Sequence, residues 1–445
     1  MKNIFLVVLV CVLTNAAAQH KVDVLVLGAS PSGVSCAIQA ARSAEGARQP
    51  LKIMLIEATE NLLPKVNPTF NQPAFDSGLY KEWKDNYQIN HQILQHIMQK
   101  KIPIMPSLLY LINPIIHITP QNTLLNMVKK LKNLSLHTYT KVIGISTKKN
   151  GWVVKIEQNG ATQEIKTNIL VDASDSVNNS QLVKYNIMKL NSEGKINNLV
   201  TYTKGQHGNN NLYRTSIGAG TNGKEVFYFP VGMFVPTQHG KLIIVSAQTC
   251  SNGFSKNAFN NLATQLSMGQ GAGVLAAYAP FFTVAPKDAN VRVLQSEVLN
   301  YKGQFLPIKD VVEQDSAYKP IQQTITSGLL KMNFEEGLFY PDSVVNMAEI
   351  KPIMSQLYTR SKLWFIENST ATLNLENLMA LISFISAREV SDILTEINSK
   401  WNKKYGFATN FDVNKPLTRK QFAIVVNDYL QPYKVRVNFN GEYLR

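Results

Sequence analysis

The sequence predicts an α/β fold: a Rossmann-type dinucleotide-binding domain with a β-meander and an inserted substrate domain, followed by a mostly helical C-terminal region. Three observations carry this expectation. A Val-rich apolar run at 22–27 passes through a glycine-bearing turn into an Ala-rich helix and a second apolar run at 53–56. Strand alternation with Asn150-Gly151 and Asn159-Gly160 turns fills 135–171, and after Ile308 the pattern becomes helical.

In chain order, Lys2 precedes an apolar run from Ile4 to Leu13 and the small residues Ala16, Ala17 and Ala18. This reads as a secretory signal peptide, residues 1–18, cleaved after Ala18. The run is too short for a membrane span, which needs about 20 apolar residues. Cys11 lacks the small residues that a lipoprotein site places before it, so no lipid anchor and no transmembrane segment are expected in the mature chain. Cleavage leaves Cys36 and Cys250, too few for a disulfide framework. A chain of 445 residues exceeds the usual single core. Its formal charge of +15 is scattered rather than gathered into a stripe, and Lys129, Lys130 and Lys132 sit on one expected helix, so a solvated face is favoured over nucleic acid.

The first strand, turn, helix (32–43) and second strand make one βαβ unit. Amphipathic helices are expected at 77–101 and 121–131, and the meander returns to an apolar strand at 169–171. The Asn- and Gly-rich stretch 177–223 is assigned to an inserted substrate region, 177–240, and strands recur at 226–229 and 241–245. A long helix begins near Phe259, so residues 19–308 form the first domain and 309–445 the helical region, with no internal repeat evident. Thr418-Arg419-Lys420-Gln421 reads as a capping box ahead of a helix with Phe422, Val425, Val426, Tyr429 and Leu430 on one face. That helix weakly resembles an S-layer-homology helix, and docking on the main domain is the plainer reading.

Chemistry concentrates at Gly28-Ala29-Ser30-Pro31-Ser32-Gly33, between the first strand and first helix. In a dinucleotide fold the first glycine allows the tight turn, the second admits the pyrophosphate, and the third lets helix and sheet pack. The helix start offers N–H groups and the positive dipole end. Glu57, 24 residues beyond Gly33, is placed to accept from ribose hydroxyls and favours FAD or NAD over NADP. An ordinary strand-to-helix turn is the competing reading.

From about Val22 to Ile308 the chain resembles the secreted bacterial FAD-dependent oxidoreductases related to the glutathione-reductase-like flavoproteins. The turn motif, the Glu57 strand, Pro73-Ala74-Phe75-Asp76, Asp172-Ala173-Ser174 and Met268-Gly269-Gln270-Gly271-Ala272-Gly273-Val274-Leu275-Ala276-Ala277 carry the resemblance. It implies FAD, held through Gly28, Ser30, Pro31, Ser32, Gly33, Glu57 and Asp172, with Gly269, Gln270 and Gly271 opening a helix whose N-terminus faces the flavin. Close helix packing through small residues would use the same glycines. Four positions depart from the family: Ser30 for the middle glycine, Leu63-Pro64-Lys65 for a glycine pair, Asp175 for glycine, and Ser246-Ala247 where glycine usually starts. All add bulk, which points to a rearranged or abandoned cofactor site.

No H-e-x-x-H, paired C-x-x-C or G-x-S-x-G pattern occurs, so no metal site is expected, and His91 and His96 fall on different helix faces. His207 and His239 read as surface or hydrogen-bonded side chains, and no catalytic acid or base is assigned. Two functions follow. One is an exported, periplasmic or extracellular FAD-dependent oxidoreductase acting on a small-molecule substrate with an unassigned electron acceptor; the other is a degenerate flavoprotein-fold scaffold. With no twin-arginine signal, the chain would gain FAD after export. The exported protein is expected to begin near Gln19 or His20, which N-terminal sequencing checks; retention of Lys2 would contradict the signal-peptide reading.

Overall fold

The computed structural model describes residues 20–46, 48–59, 77–99, 119–174, 180–192, 196–203, 210–221, 225–246, 251–252, 259, 261–368 and 372–444. The signal segment, Leu63-Pro64-Lys65, Pro73-Ala74-Phe75-Asp76, Asp175, His207, Ala247 and Cys250 lie outside them.

The expected strand, helix and parallel strand are present as β1 (His20–Leu27), α1 (Pro31–Ser43) and β2 (Ile53–Ile56), with Val24 opposite Ile53 and Leu27 opposite Ile56. Val24, Leu25 and Val26 are fully buried, as a parallel strand covered on both faces requires. The expected helices appear as α2 (Gly78–Gln99) and α3 (Pro120–Lys129). Beyond them β3 (Leu134–His137) joins β2 in parallel, and β4 (Thr140–Lys148), β5 (Gly151–Gln158) and β6 (Ala161–Asp172) form the antiparallel meander.

Strand β6 organises the sheet. Its residues 165–172 run parallel to β1, with Leu27 opposite Asp172. On its other edge residues 161–167 pair with β5, and 170–172 pair in parallel with a later strand, Leu242–Ile244. Trp152 seals that junction by donating from Nε1 to the Lys241 carbonyl at 2.9 Å.

After β6 come the short helix α4 (Gln181–Lys184) and β7 (Tyr202–Thr203). The buried hairpin β8 (Ser216–Thr221) and β9 (Val226–Pro230) follows, then β10 (Leu242–Ile244) and β11 (Ser251–Asn252), the last parallel to β7. The long helix α5 (Leu262–Phe281) lies against α1 and is apolar nearly all round, which suits a helix enclosed by α1, α2 and β8. Its Gly269 and Gly273 face the α1 backbone: a Cβ on Gly269 would fall under 3.0 Å from the Ser32 carbonyl oxygen, and one on Gly273 would lie 2.5 Å from that of Cys36.

Helix α6 (Val291–Asn300) carries Arg292, which is 5% exposed and donates to the carbonyls of Val435 (3.0 Å), Arg214 (3.1 Å) and Thr326 (3.1 Å) and to Gln295 Oε1 (2.8 Å). Burial pushes the guanidinium down to about 10. This one side chain ties the sheet domain to the C-terminal region, and a single hydrophobic core runs from Val22 to Val437.

The C-terminal helices are α7 (Tyr318–Thr326), α8 (Met347–Leu357), α9 (Ser361–Glu367), α10 (Leu375–Ser386), α11 (Val390–Lys400) and α12 (Arg419–Tyr429). Here the structure corrects the expectation that no repeat exists. Three extended tripeptides, 344–346, 372–374 and 416–418, each lead into a helix (α8, α10 and α12). The tripeptides bridge one another, Val344 with Thr418, Asn346 with Thr372 and Asn374 with Pro416. Each centres on a buried apolar residue (Val345, Leu373, Leu417) and ends on a residue whose side chain caps its helix (Asn346, Asn374, Thr418). The shared spacing of apolar residue and cap is the only trace in the sequence, too short to stand out. The Thr418–Gln421 capping box is formed in both directions.

If the α1–α5 contact needs glycine, Gly273→Ala should lower unfolding free energy by about 1–3 kcal/mol, the scale of overpacking against backbone. Gly46→Ala, where a Cβ meets nothing within 4 Å, should change it by under about 0.5 kcal/mol. Urea denaturation of the two variants checks this, and equal stability would remove the packing role.

Candidate functional site

The β1–α1 turn is built from close approaches. Gly28 has φ +100°, and a Cβ there would sit 3.1 Å from the Ala173 carbonyl oxygen, while one on Gly33 would fall under 3.0 Å from the Gly28 carbonyl oxygen and the Ala173 Cβ. The Gly28 N–H donates to Ile56 and the Ala173 N–H to Leu27, both at 2.9 Å, so the turn is pinned to the ends of β2 and β6.

Ser30 does not intrude as its sequence position suggested. It is 6% exposed, and its hydroxyl donates to the Ala173 carbonyl (2.8 Å) while accepting the Gly33 N–H (3.2 Å), which makes it the N-cap of α1. Ser32 Oγ lies 3.1 Å from Ser30 Oγ and donates to the Val245 carbonyl at the end of β10 (3.1 Å). Pro31 has no N–H to offer. With Gly33 capped and Val34 bonded to the Ser30 carbonyl at 2.9 Å, Ser32 carries the remaining first-turn N–H of α1, the type of donor that helix starts offer to anions.

Glu57 follows β2 and is half-buried. Its Oε2 accepts the Ala29 N–H at 2.8 Å, and its Oε1 accepts the Thr59 N–H and hydroxyl, each at 3.0 Å. Glycine turn and carboxylate line one cavity of about 530 Å³, whose lining also includes Thr140, Val142, Gln181 and Lys184. It lies outside the carboxyl ends of β1 and β2, where the chain order reverses across β1, the place where open α/β sheets bind ligands. An acceptor on one wall, a helix start on another and this volume fit the adenosine diphosphate end of a dinucleotide.

The structure therefore gathers Gly28, Ala29, Ser30 and Glu57 around one cavity, with Pro31, Ser32 and Gly33 in the adjoining first turn of α1. It does not bring Gly269, Gln270 and Gly271 there. Helix α5 starts at Leu262, so these residues fall in its interior rather than at its N-terminus. Gly271 packs on the Ile217 carbonyl; Gln270 donates from Nε2 to Gln39 Oε1 (3.1 Å) and the Tyr301 carbonyl (3.3 Å) and accepts the Leu79 N–H (3.3 Å). Of the two readings open in the sequence, close packing is the one this geometry matches.

Asp172 is buried just behind the cavity wall. Its carboxylate accepts from the Ser174 N–H (3.0 Å), the Ser174 hydroxyl (2.5 Å) and the Ser180 hydroxyl. Burial raises its pKa against the pull of those donors, and its place in the structure is to hold the chain leaving β6. Burial likewise pushes the Cys36 thiol up to about 12, so it is no nucleophile. His239 lies edge-on to Trp152 with Nε2 2.9 Å from the Ile187 carbonyl. Sequence reading missed Thr59, Thr140, Val142, Gln181 and Lys184, which reach the cavity from three stretches of chain (the segment after β2, β4 and α4) and share no motif.

Residues 23–178 match the family model described as FAD dependent oxidoreductase, and FAD is the cofactor that this match assigns. No curated protein matches the chain. Among solved structures, p-nitrophenol 4-monooxygenase from Pseudomonas putida DLL-E4 is 9% identical over 39% of this chain and 44% of its own, with a TM-score of 0.24. Aklavinone-11 hydroxylase, in a ternary complex with FAD and aklavinone, is 14% identical over 40% of this chain and 37% of its own, with a TM-score of 0.23. Bacillithiol disulfide reductase from Staphylococcus aureus is 16% identical over 35% and 39%, with a TM-score of 0.20. The chain thus spans less than half the length of each.

Removing the cap should be felt in stability before any ligand is added. Ser30→Ala is expected to lose about 0.5–2 kcal/mol in chemical denaturation, the range for N-cap removal. An unchanged midpoint would mean that the Ser30 hydroxyl holds nothing together.

Proposed function

We propose that this protein is an FAD-dependent oxidoreductase that acts on an organic small molecule outside the cytoplasm and holds the adenosine end of FAD in the cavity beside Glu57. The observation that carries the reading is the Glu57 carboxylate, set in one 530 Å³ cavity with a positive-φ glycine turn, inside the segment matched to FAD-dependent oxidoreductases. Glu57 would accept the ribose hydroxyls, exchanging its bonds from Thr59 for them. The Ser32 N–H and the positive end of α1 would face the diphosphate. When bound, the flavin supplies two-electron transfer, and the residues of this chain orient it and the substrate. In this reading residues 19–308 form the oxidoreductase-like unit, 177–240 contribute to substrate binding, and 309–445 brace the unit through Arg292.

A second reading, a flavoprotein-fold scaffold without redox activity, is favoured by one observation. The Gly33 N–H that could meet a phosphate is already held by Ser30, and Pro31 supplies none. The two readings diverge on reconstitution with excess FAD. An active site gives flavin absorbance and quenched fluorescence, with Glu57→Ala weakening FAD by about 1.5–3 kcal/mol, the scale of hydrogen bonds to a charged group. Colourless wild-type protein at every FAD concentration overturns the oxidoreductase reading and leaves the scaffold.

A further inference from the structure

The glycine turn is short of donors, and the cavity beside it holds one cation. Pro31 has no N–H and the Gly33 N–H is held by the Ser30 hydroxyl at 3.2 Å, so the first turn of α1 keeps little beyond the Ser32 N–H and the positive helix end to offer an anion. Among the described residues that line the cavity, Glu57 is the one carboxylate and Lys184 the one cation. Glu57 adds negative charge where a diphosphate would bring more, and Lys184 is the charge that offsets it.

Lys184 stands in α4, which is tied back to the glycine turn. Ser30 Oγ donates to the Ala173 carbonyl at 2.8 Å, the preceding residue Asp172 accepts the Ser180 hydroxyl, and Ser180 opens the helix that carries Lys184 one turn on. At the other end of α4 the Tyr185 hydroxyl donates to the Val142 carbonyl at 2.7 Å. The Lys184 backbone is thereby held at the cavity. Its side chain is exposed, and its ammonium lies 5.5 Å from the centroid of the Tyr185 ring, with no carboxylate paired to it among the described residues. A compact charge on a flexible stem in that state can act on an anion without first breaking an ion pair.

We propose that Lys184 supplies the positive charge that holds the diphosphate in this cavity, making up for the backbone donors that Pro31 and Ser30 remove; this rests on the reading of the cavity as a dinucleotide site. The ammonium acts as a point charge, so its effect needs neither a bidentate geometry nor any contact with ribose or base. Salt screens such an effect, and a ligand without phosphate does not feel it.

Calorimetric titration with ADP and with adenosine tests the assignment on the full chain as wild type, Lys184→Met and Lys184→Arg, with thermal melting to confirm folding. Lys184→Met is expected to weaken ADP about fivefold, the upper range for an exposed charge pair, and to leave adenosine within about twofold of wild type. Lys184→Arg keeps the charge and should hold ADP within about twofold of wild type. Added salt should narrow the ADP gap between wild type and Lys184→Met, since a charge contact is screened and a packing contact is not; this arm decides where adenosine binds too weakly to titrate. ADP affinity unaltered in Lys184→Met, equal losses for ADP and adenosine, a gap indifferent to salt, or a loss in Lys184→Arg as large as in Lys184→Met overturns the role of Lys184 and leaves the cavity reading intact. Binding of neither ligand by wild type overturns the cavity reading, and the charge assignment with it.

Discussion

The structure depends on how closely α1 approaches its neighbours. On one side Gly33 lets the first turn rest on the Gly28 carbonyl and Ala173; on the other Gly269 and Gly273 let α5 rest on the α1 backbone at Ser32 and Cys36. A helix pressed between a sheet end and a second helix with no room for a Cβ cannot shift without losing contacts along its length. That rigidity sets where the first-turn N–H groups point. It also explains why residues 31–41 of α1 are all buried although the helix includes Ser32, Ser35 and Gln39. Each of those polar side chains has a partner: Ser32 at Val245, Ser35 at Leu266 (2.5 Å) and Gln39 at Ser43 and Gln270.

The same constraint gives the glycine-rich stretch of α5 a packing role. Its residues were readable in sequence either as the start of a helix beside a flavin or as a packing surface, because both need small side chains. The helix begins close to where the sequence leads one to expect, near Phe259: the Asn261 side chain accepts from the Ala263 N–H at 2.9 Å, seven residues before Met268. Once the helix starts there, Gly269 and Gly271 are interior positions, and their lack of a Cβ serves the Ser32 and Ile217 carbonyls.

Most of the sheet was legible because each strand carries its own apolar run and its own turn. The βαβ unit, the meander with its Asn-Gly turns and the capping box of α12 all declare themselves locally. The Glu57 side of the cavity was legible for the same reason, since motif and acid are linked by one βαβ unit. The other wall was not. Thr140, Val142, Gln181 and Lys184 lie on β4 and α4, which flank β6 in the chain and meet only in the fold, where Asp172 holds Ser180 at the start of α4. The threefold arrangement of 344–346, 372–374 and 416–418 was hidden for a related reason, each copy being three residues of pattern and one cap.

The substitution of Ser30 for a glycine takes on a different sense from this geometry. In sequence it counts as bulk beside a cofactor, yet the side chain turns inward and satisfies two backbone groups, the Gly33 N–H and the Ala173 carbonyl. Glu57 is treated alike, with both carboxylate oxygens held by Ala29 and Thr59. A turn whose donors and acceptors waited for a diphosphate and a ribose would be left with unpaired polar groups in the apo chain, each unfavourable by about 1–3 kcal/mol if buried. Here the Gly33 N–H and both Glu57 oxygens are closed internally, so the turn can form before any ligand arrives. The internal bonds then compete with the ligand for the same atoms, and self-sufficiency in the apo state comes with weaker binding. The altered turn is thus explained by folding before loading, and loss of the site is not required to account for it.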